Sequence, residues 1–216
     1  MPEASDHHRG LTWSWVADER RAFADVVDGL APAQWDEPSL CGRWRVRGVV
    51  AHLVWVAEYS RRRMYRDVVT HPFSRPNRFN DRMAVRLAGA ASPTELLDRL
   101  RASADGRFVV PLMPPAVALG EVLTHRADVT RPLGLPARPA DERLAAVLDA
   151  YRRLWFAFGV PRRVRTLRLA PTDAGWQVGP EGGPEVRGPG ESLLLGLAGR
   201  RVALADLEGP GVETLR

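Results

Sequence analysis

The pattern of apolar and polar positions predicts helices over the first two thirds of the chain. Apolar residues recur mostly three and four positions apart over residues 11–30, 45–66 and 116–130, which is the spacing of one helix face. A further helix is predicted to begin at Ser92, because Ser-Pro-Thr-Glu offers a capping serine, a proline at the first position and a capping-box glutamate. Residues 70–80 contain two prolines and indicate a loop. A short helix can follow over residues 79–87. Four main helices with apolar faces predict a four-helix bundle.

The character of the chain changes after about residue 140. Residues 135–139 contain two prolines and indicate a linker. Beyond the next helix, apolar and polar residues alternate as they do in half-buried strands, and turns rich in glycine and proline follow. The predicted elements are a helix over 141–158, strands over 164–169, 176–178 and 185–187, and a short helix over 192–198. The predicted fold class is therefore α+β, with a four-helix bundle over residues 1–138 and a small α+β domain over 139–216.

Composition favours a globular protein of a reducing compartment. Hydrophobic residues make up 45% of the 216 residues, which is enough for a core. No apolar run approaches the roughly 18 residues of a membrane helix, and the polar first ten residues contain no signal-peptide core. Cys41 is the only cysteine, so an internal disulfide is excluded, and a small structural residue in a turn is the favoured interpretation. We expect a cytoplasmic protein with no membrane partner.

The positive charge has two functional interpretations. The formal net charge is +5, and every basic residue other than histidine is an arginine. Arginines cluster before the predicted second helix and near its end, at Arg43, Arg45, Arg47, Arg61, Arg62, Arg63 and Arg66. Such clusters occur on nucleic-acid-binding surfaces, and arginines also hold anionic substrates through bidentate contacts. Because 26 acidic residues are interspersed and no helix-turn-helix signature is present, we expect no nucleic-acid partner.

Two histidines and a glutamate are the candidate chemistry. Glu121 and His125 are four residues apart and share one helix face, while His52 lies on the apolar face of the second helix. If the two helices face each other, the three side chains converge into the two-histidine, one-glutamate ligand set of catalytic zinc sites. The alternative is that both histidines are hydrogen-bonded core residues. The remaining histidines, His7, His8 and His71, lie in a polar N-terminal stretch and in the predicted loop.

Three segments carry a resemblance to a known family. Residues 38–53, PSLCGRWRVRGVVAHL, and residues 120–134, GEVLTHRADVTRPLG, resemble the two signatures of the mycothiol-dependent maleylpyruvate isomerase family. The tail, with WQVG at 176–179, VRGP at 186–189 and LLLGLAGR at 193–200, is similar to the small C-terminal domain of that family. The family belongs to the wider group of DinB-like metal-binding helical bundles.

The resemblance implies a ligand set and a chemistry. His52, Glu121 and His125 correspond to the metal ligands, zinc being the usual metal, and mycothiol is the implied thiol cofactor. A thiolate formed at the metal would add to the conjugated double bond of maleylpyruvate, allow rotation and then leave. Asp128 is a candidate for orienting a ligand, or else an acid paired with an arginine. Arg200 is a candidate for holding substrate carboxylates, or else a surface arginine.

Family resemblance alone does not identify the substrate. The expected function is a zinc- and mycothiol-dependent enzyme, either an isomerase of maleylpyruvate type or a thiol S-transferase that acts on an electrophilic, anionic small molecule. The alternative is a non-catalytic metal-binding or ligand-sensing protein on the same scaffold. The sequence lacks the Gly-x-Ser-x-Gly, P-loop and dinucleotide-binding motifs of other enzyme classes. The short C-terminal domain leaves room for a substrate of different size, and the oligomeric state stays open.

Overall fold

The chain forms two compact units, residues 1–135 and 136–216. The computed structural model describes residues 2–42, 44–70, 76–136, 138–157 and 161–216, with the backbone alone for residues 2–8, 76, 77 and 157. The division lies close to the predicted domain boundary after residue 138, which itself stays a prediction. Within the described ranges, no helix is both long enough and apolar enough to cross a membrane.

Four helices of the N-terminal unit pack in a closed ring, as the apolar pattern predicted. The described part of this unit contains α1 (Pro2–Asp28), α2 (Val46–Glu58), α3 (Arg61–Thr70), α4 (Pro76–Ala90), α5 (Pro93–Ala102) and α6 (Pro115–Thr130), of which α1, α2, α5 and α6 form the ring. α1 packs against α5 and α6, and α2 packs against the same two helices, so that their apolar faces meet inside. Fully buried side chains such as Phe23, Leu53, Leu100 and Leu119 fill the space between them.

The helix predicted over residues 45–66 is two helices in the structure. Tyr59 adopts an extended backbone that ends α2, and α3 begins at Arg61, directly after Ser60. The Ser60 hydroxyl accepts a hydrogen bond from the Arg63 amide at 3.3 Å, as serines before a first turn commonly do. The predicted loop over 70–80 is also partly wrong, because α4 already begins at Pro76 and packs along α2. Residues 71–75, including His71, lie outside the described residues.

The start of α5 follows the sequence prediction. The Ser92 hydroxyl accepts the Glu95 amide at 3.2 Å, and the Glu95 carboxylate accepts the Ser92 amide at 2.7 Å. This reciprocal pair satisfies two amides that the first helical turn leaves without intrahelical partners.

The C-terminal unit is α+β, as predicted, with a two-stranded parallel sheet. It contains α7 (Asp141–Arg153), β1 (Arg168–Pro171), β2 (Glu185–Gly188) and α8 (Gly190–Leu197). β1 pairs with β2 in the register Leu169 to Val186, and α8 packs against both strands and α7. The predicted strand over 164–169 is displaced, because Arg162–Thr166 forms a 3-10 helix and β1 begins only at Arg168. The predicted strand over 176–178 is reduced to one antiparallel bridge with β1, between Val178 and Leu169. α7 ends at Arg153, before the predicted helix end at residue 158, which lies outside the described residues.

Candidate metal centre

α2 places His52 inside the N-terminal unit. The face around it is apolar, and Val49, Val50 and Leu53 are buried beside it, so that the histidine itself is only 3% exposed. Trp44, just before α2, covers the imidazole, with ring centroids 4.7 Å apart. The Trp44 indole donates a hydrogen bond to the Asp81 carboxylate at 2.8 Å. These contacts hold the ring in one orientation, with its Nε2 directed at α6.

α6 supplies the other two side chains of the predicted set. Glu121 and His125 lie one turn apart on the same face, as their spacing predicted. The Glu121 Oε1 atom lies 2.9 Å from His52 Nε2 and 3.6 Å from His125 Nε2. The two imidazole rings meet edge to face, with centroids 4.7 Å apart. The structure therefore brings the three side chains together at one point, and their role as metal ligands stays a prediction.

The donor set fits a small divalent cation. One ligand atom from each of His52, Glu121 and His125 lies within 4.8 Å of the others. Ligand atoms about 2.1 Å from a tetrahedral zinc ion are about 3.4 Å apart, close to the two nitrogen–oxygen separations of this cluster. Two imidazoles and one carboxylate also leave a fourth tetrahedral position for an exogenous ligand.

Asp128 and Cys41 support the cluster from behind His125. Asp128 is fully buried, and its carboxylate accepts a hydrogen bond from His125 Nδ1 at 2.9 Å. With the proton on Nδ1, the Nε2 atom is the one that can bind a metal. Cys41 lies in a second potential ligand group with His125 and Asp128. From the sequence, a small structural residue in a turn was the favoured interpretation of Cys41, with a reactive thiol as the alternative. Cys41 lies eleven residues before His52 within the same motif, and this is the sequence signal that could have indicated a position near the cluster.

Electrostatics keep the Glu121 carboxylate ionised. Burial alone would raise the pKa of Glu121, but hydrogen bonds from His125 and His52 outweigh it and hold the pKa below the ordinary value. Burial alone would lower the pKa of His125, but hydrogen bonds with Asp128, Cys41 and Glu121 raise it well above the ordinary value. The raised pKa of His125 favours a second proton, on Nε2, when no metal is bound. A cation bound at Nε2 would displace that proton, while the Nδ1 proton stays in the hydrogen bond with Asp128.

Of the three side chains of the cluster, Glu121 is the most exposed. The side chains of His52 and His125 are 4% and 9% exposed, whereas that of Glu121 is 32% exposed. Within the N-terminal unit, a small molecule can therefore approach the cluster along the Glu121 carboxylate.

Arg200 belongs to the C-terminal unit. It lies between α8 and a 3-10 helix over Arg201–Asp206, and its guanidinium donates a hydrogen bond to the Ala198 carbonyl at 2.7 Å. Its contact with a substrate stays a prediction.

Comparisons with known proteins agree with the fold. Residues 16–115 match the family model of the mycothiol maleylpyruvate isomerase N-terminal domain, a segment that contains His52 and ends before Glu121 and His125. Two solved structures are similar. The H52A mutant (numbered in that protein) of the mycothiol-dependent maleylpyruvate isomerase has a TM-score of 0.62 at 14% identity, over 94% of this chain and 92% of that one. A second structure of the mycothiol-dependent maleylpyruvate isomerase has a TM-score of 0.59 at 15% identity, over 89% of both chains. No protein of curated function matches the sequence significantly.

Proposed function

We propose that this protein is a metal- and mycothiol-dependent enzyme, since residues 16–115 match the family model of the mycothiol maleylpyruvate isomerase N-terminal domain. It acts on an electrophilic small molecule, as an isomerase of maleylpyruvate type or as a thiol S-transferase. The observation that carries the proposal is the convergence of His52, Glu121 and His125, within 4.8 Å, on a cluster that is open at Glu121. A cluster that contributed only to core packing would not require a carboxylate that is accessible to solvent.

Each residue of the cluster has a distinct role in this proposal. His52 and His125 bind the cation through Nε2, and Glu121 binds it through a carboxylate oxygen. Asp128 acts as a positioning residue, because it holds the Nδ1 proton of His125. A zinc ion in this place would lower the pKa of a bound thiol and stabilise its thiolate form. Arg200 is proposed to bind a carboxylate where the substrate carries one.

The first experiment is the metal content of the purified protein. We expect about one divalent metal per chain, as a three-ligand site with one ion implies, and its loss in His125→Ala. The matched control is Asp98→Asn, which changes an exposed acidic residue on α5. Circular dichroism of each variant separates loss of the site from loss of the fold. Metal retained in a folded His125→Ala protein would contradict the ligand assignment.

Thiol dependence separates an enzyme from a metal-binding protein without catalysis. The metal-loaded protein is expected to bind mycothiol and to convert an electrophile only in its presence. Bound metal without any affinity for mycothiol would favour the ligand-sensing alternative. A cytoplasmic location and the absence of a nucleic-acid partner stay predictions.

A further inference from the structure

A cavity in the N-terminal unit leads to the candidate metal centre. Its volume is about 350 Å³, and residues of α2, α3, α4 and α6, together with the segment before α6, line it. Glu121 is part of its wall and is also the exposed member of the metal cluster. A molecule that fills the cavity would therefore lie against the open side of the cluster. The volume lies within the range of small-molecule sites, which is roughly 300–1,000 Å³.

Aromatic side chains form much of the cavity wall. Trp55 packs against Tyr59, with ring centroids 4.9 Å apart, and against Phe79 at 6.1 Å. Phe108 meets Tyr59 edge to face at 4.9 Å. Most of the remaining lining residues are aliphatic, and Val117 lies one turn before Glu121 on α6. Such a wall favours apolar and aromatic groups, which gain from burial and from ring packing.

The charged groups on the cavity wall are acidic. Asp67 lines it and is nearly buried, and it accepts hydrogen bonds from the Tyr59 hydroxyl at 2.8 Å and from Arg66 at 3.2 Å. Glu121 is the second carboxylate. Among the described residues that line the cavity, none is an arginine or a histidine. Arg66 already pairs with Asp67, and the two histidines of the cluster already face Glu121. A dicarboxylate that filled the cavity would therefore lose its hydration without gaining a cationic side chain from the described lining.

We propose that this cavity binds the electrophilic substrate, and that the substrate is an uncharged, hydrophobic molecule instead of a dicarboxylate. The proposal rests on the proposed function and narrows its substrate class. It departs from the anionic substrate that the family resemblance implies. Three features support it: the aromatic wall, the lack of an arginine or histidine among the described lining residues, and the continuity of the cavity with Glu121.

A matched pair of ligands tests the charge preference directly. Diethyl maleate and maleate share the same cis alkene and differ in charge. Binding to the full-length protein is followed through tryptophan fluorescence, and Trp55→Phe identifies the part of the signal that comes from the cavity. We expect the diester to bind at least about tenfold more tightly than the dianion, because a carboxylate would be buried unpaired. Equal or tighter binding of maleate would overturn the proposal.

Two substitutions locate the binding site. Val117→Arg introduces a positive charge beside Glu121. We expect it to weaken diester binding and to reduce the difference in affinity between the diester and maleate. Val85→Arg is the matched control, because Val85 is 58% exposed on α4 and does not line the cavity. Phe108→Ala removes one aromatic ring without adding charge, and we expect it also to weaken diester binding. Unchanged diester binding in folded Val117→Arg and Phe108→Ala proteins would overturn the assignment to this cavity.

Turnover distinguishes failure of this inference from failure of the proposed function. Conversion of diethyl maleate to diethyl fumarate changes neither composition nor oxidation state, so it needs no reagent beyond the thiol and the metal. We expect faster conversion of the diester than of maleate by the metal-loaded protein with mycothiol. Faster conversion of maleate would overturn the inference and leave the proposed function intact. Tight diester binding without any conversion, retained in His125→Ala, would support the cavity assignment and contradict the proposed function.

Discussion

At the scale of single residues, the hydrogen bond between His125 and Asp128 decides how the cluster faces a ligand. Each imidazole has two nitrogens, and the one that binds a metal is the one that carries no proton. The buried Asp128 carboxylate, 2.9 Å from Nδ1, keeps the proton there and turns Nε2 towards Glu121. Removing the charge of Asp128 leaves the three proposed ligands in place but weakens the force that orients one of them.

Asp128→Asn is therefore expected to weaken metal binding without abolishing it. Substitution of such supporting carboxylates typically lowers metal affinity by about 10–100-fold. The measurement is the zinc dissociation constant, obtained by competition with a chromogenic chelator. Asp98→Asn makes the same chemical change on the exposed side of α5 and should leave the constant unaltered. An unchanged affinity in Asp128→Asn would show that Asp128 is only a packing residue.

At the scale of elements, local hydrogen bonds determine where α5 begins. The exchange between Ser92 and Glu95 involves residues three apart, so it forms whenever this segment becomes helical. α5 packs against α1 and α2, and the apolar residues Leu96 and Leu100 of its inner face are fully buried. A fault in its first turn would therefore affect the stability of the ring of helices.

Ser92→Ala is expected to lower the free energy of unfolding by about 1 kcal/mol, the usual cost of a lost N-cap side chain. Urea denaturation followed by circular dichroism measures the change. Thr94→Ala, at the neighbouring exposed position of the same helix, serves as the control and should have a smaller effect. Equal losses for the two variants would mean that the capping box does not stabilise α5.

The same contact predicts a dependence of stability on pH. Hydrogen bonds from the Ser92 amide and hydroxyl hold the pKa of Glu95 below its ordinary value of 4.5. A carboxyl with a lower pKa in the folded state contributes stability above the unfolded pKa and loses it as the pH falls through the folded one. The difference in unfolding free energy between the wild type and Glu95→Gln should therefore be largest at neutral pH and shrink well below pH 4.5. Glu181→Gln, in an exposed turn, is the control, and a difference that does not vary with pH would refute the explanation.

At the scale of the whole molecule, the proposed metal ligands all belong to one of the two units. His52, Glu121 and His125 lie within residues 1–135, as does the cavity that reaches Glu121. A ligand that binds only the folded state stabilises the part of the structure that provides its contacts. The stabilising effect of a metal should thus be concentrated in the N-terminal unit.

Hydrogen exchange can measure this distribution. With zinc, compared with a chelator, we expect slower amide exchange in α2 and α6, which carry the three side chains. The protection should be absent in His125→Ala. Equal protection of α7 and α8 would indicate that zinc binds through residues of the C-terminal unit, contrary to the ligand assignment.

Sequence alone determined the features that depend on neighbours along the chain. Helical spacing, capping residues and the four-residue separation of Glu121 and His125 are local, because one helical turn brings such positions together whatever the rest of the fold does. The four main helices of the bundle, the capping box of α5 and the α+β class of the C-terminal unit followed from these patterns. The two signature segments also carried the resemblance to a family, because each is a continuous stretch of residues that can be recognised without knowing how the chain folds.

Only the tertiary structure decided which distant residues meet. That α2 faces α6, bringing His52 to Glu121 across 69 positions of sequence, depends on how the apolar faces pack together. The position of Cys41 behind His125, and the aromatic cavity that ends at Glu121, have the same origin. The break between α2 and α3 is decided by one extended residue, Tyr59, which apolar spacing cannot locate. Periodicity identifies the face that each helix buries, but the partner of that face is selected by packing over the whole unit.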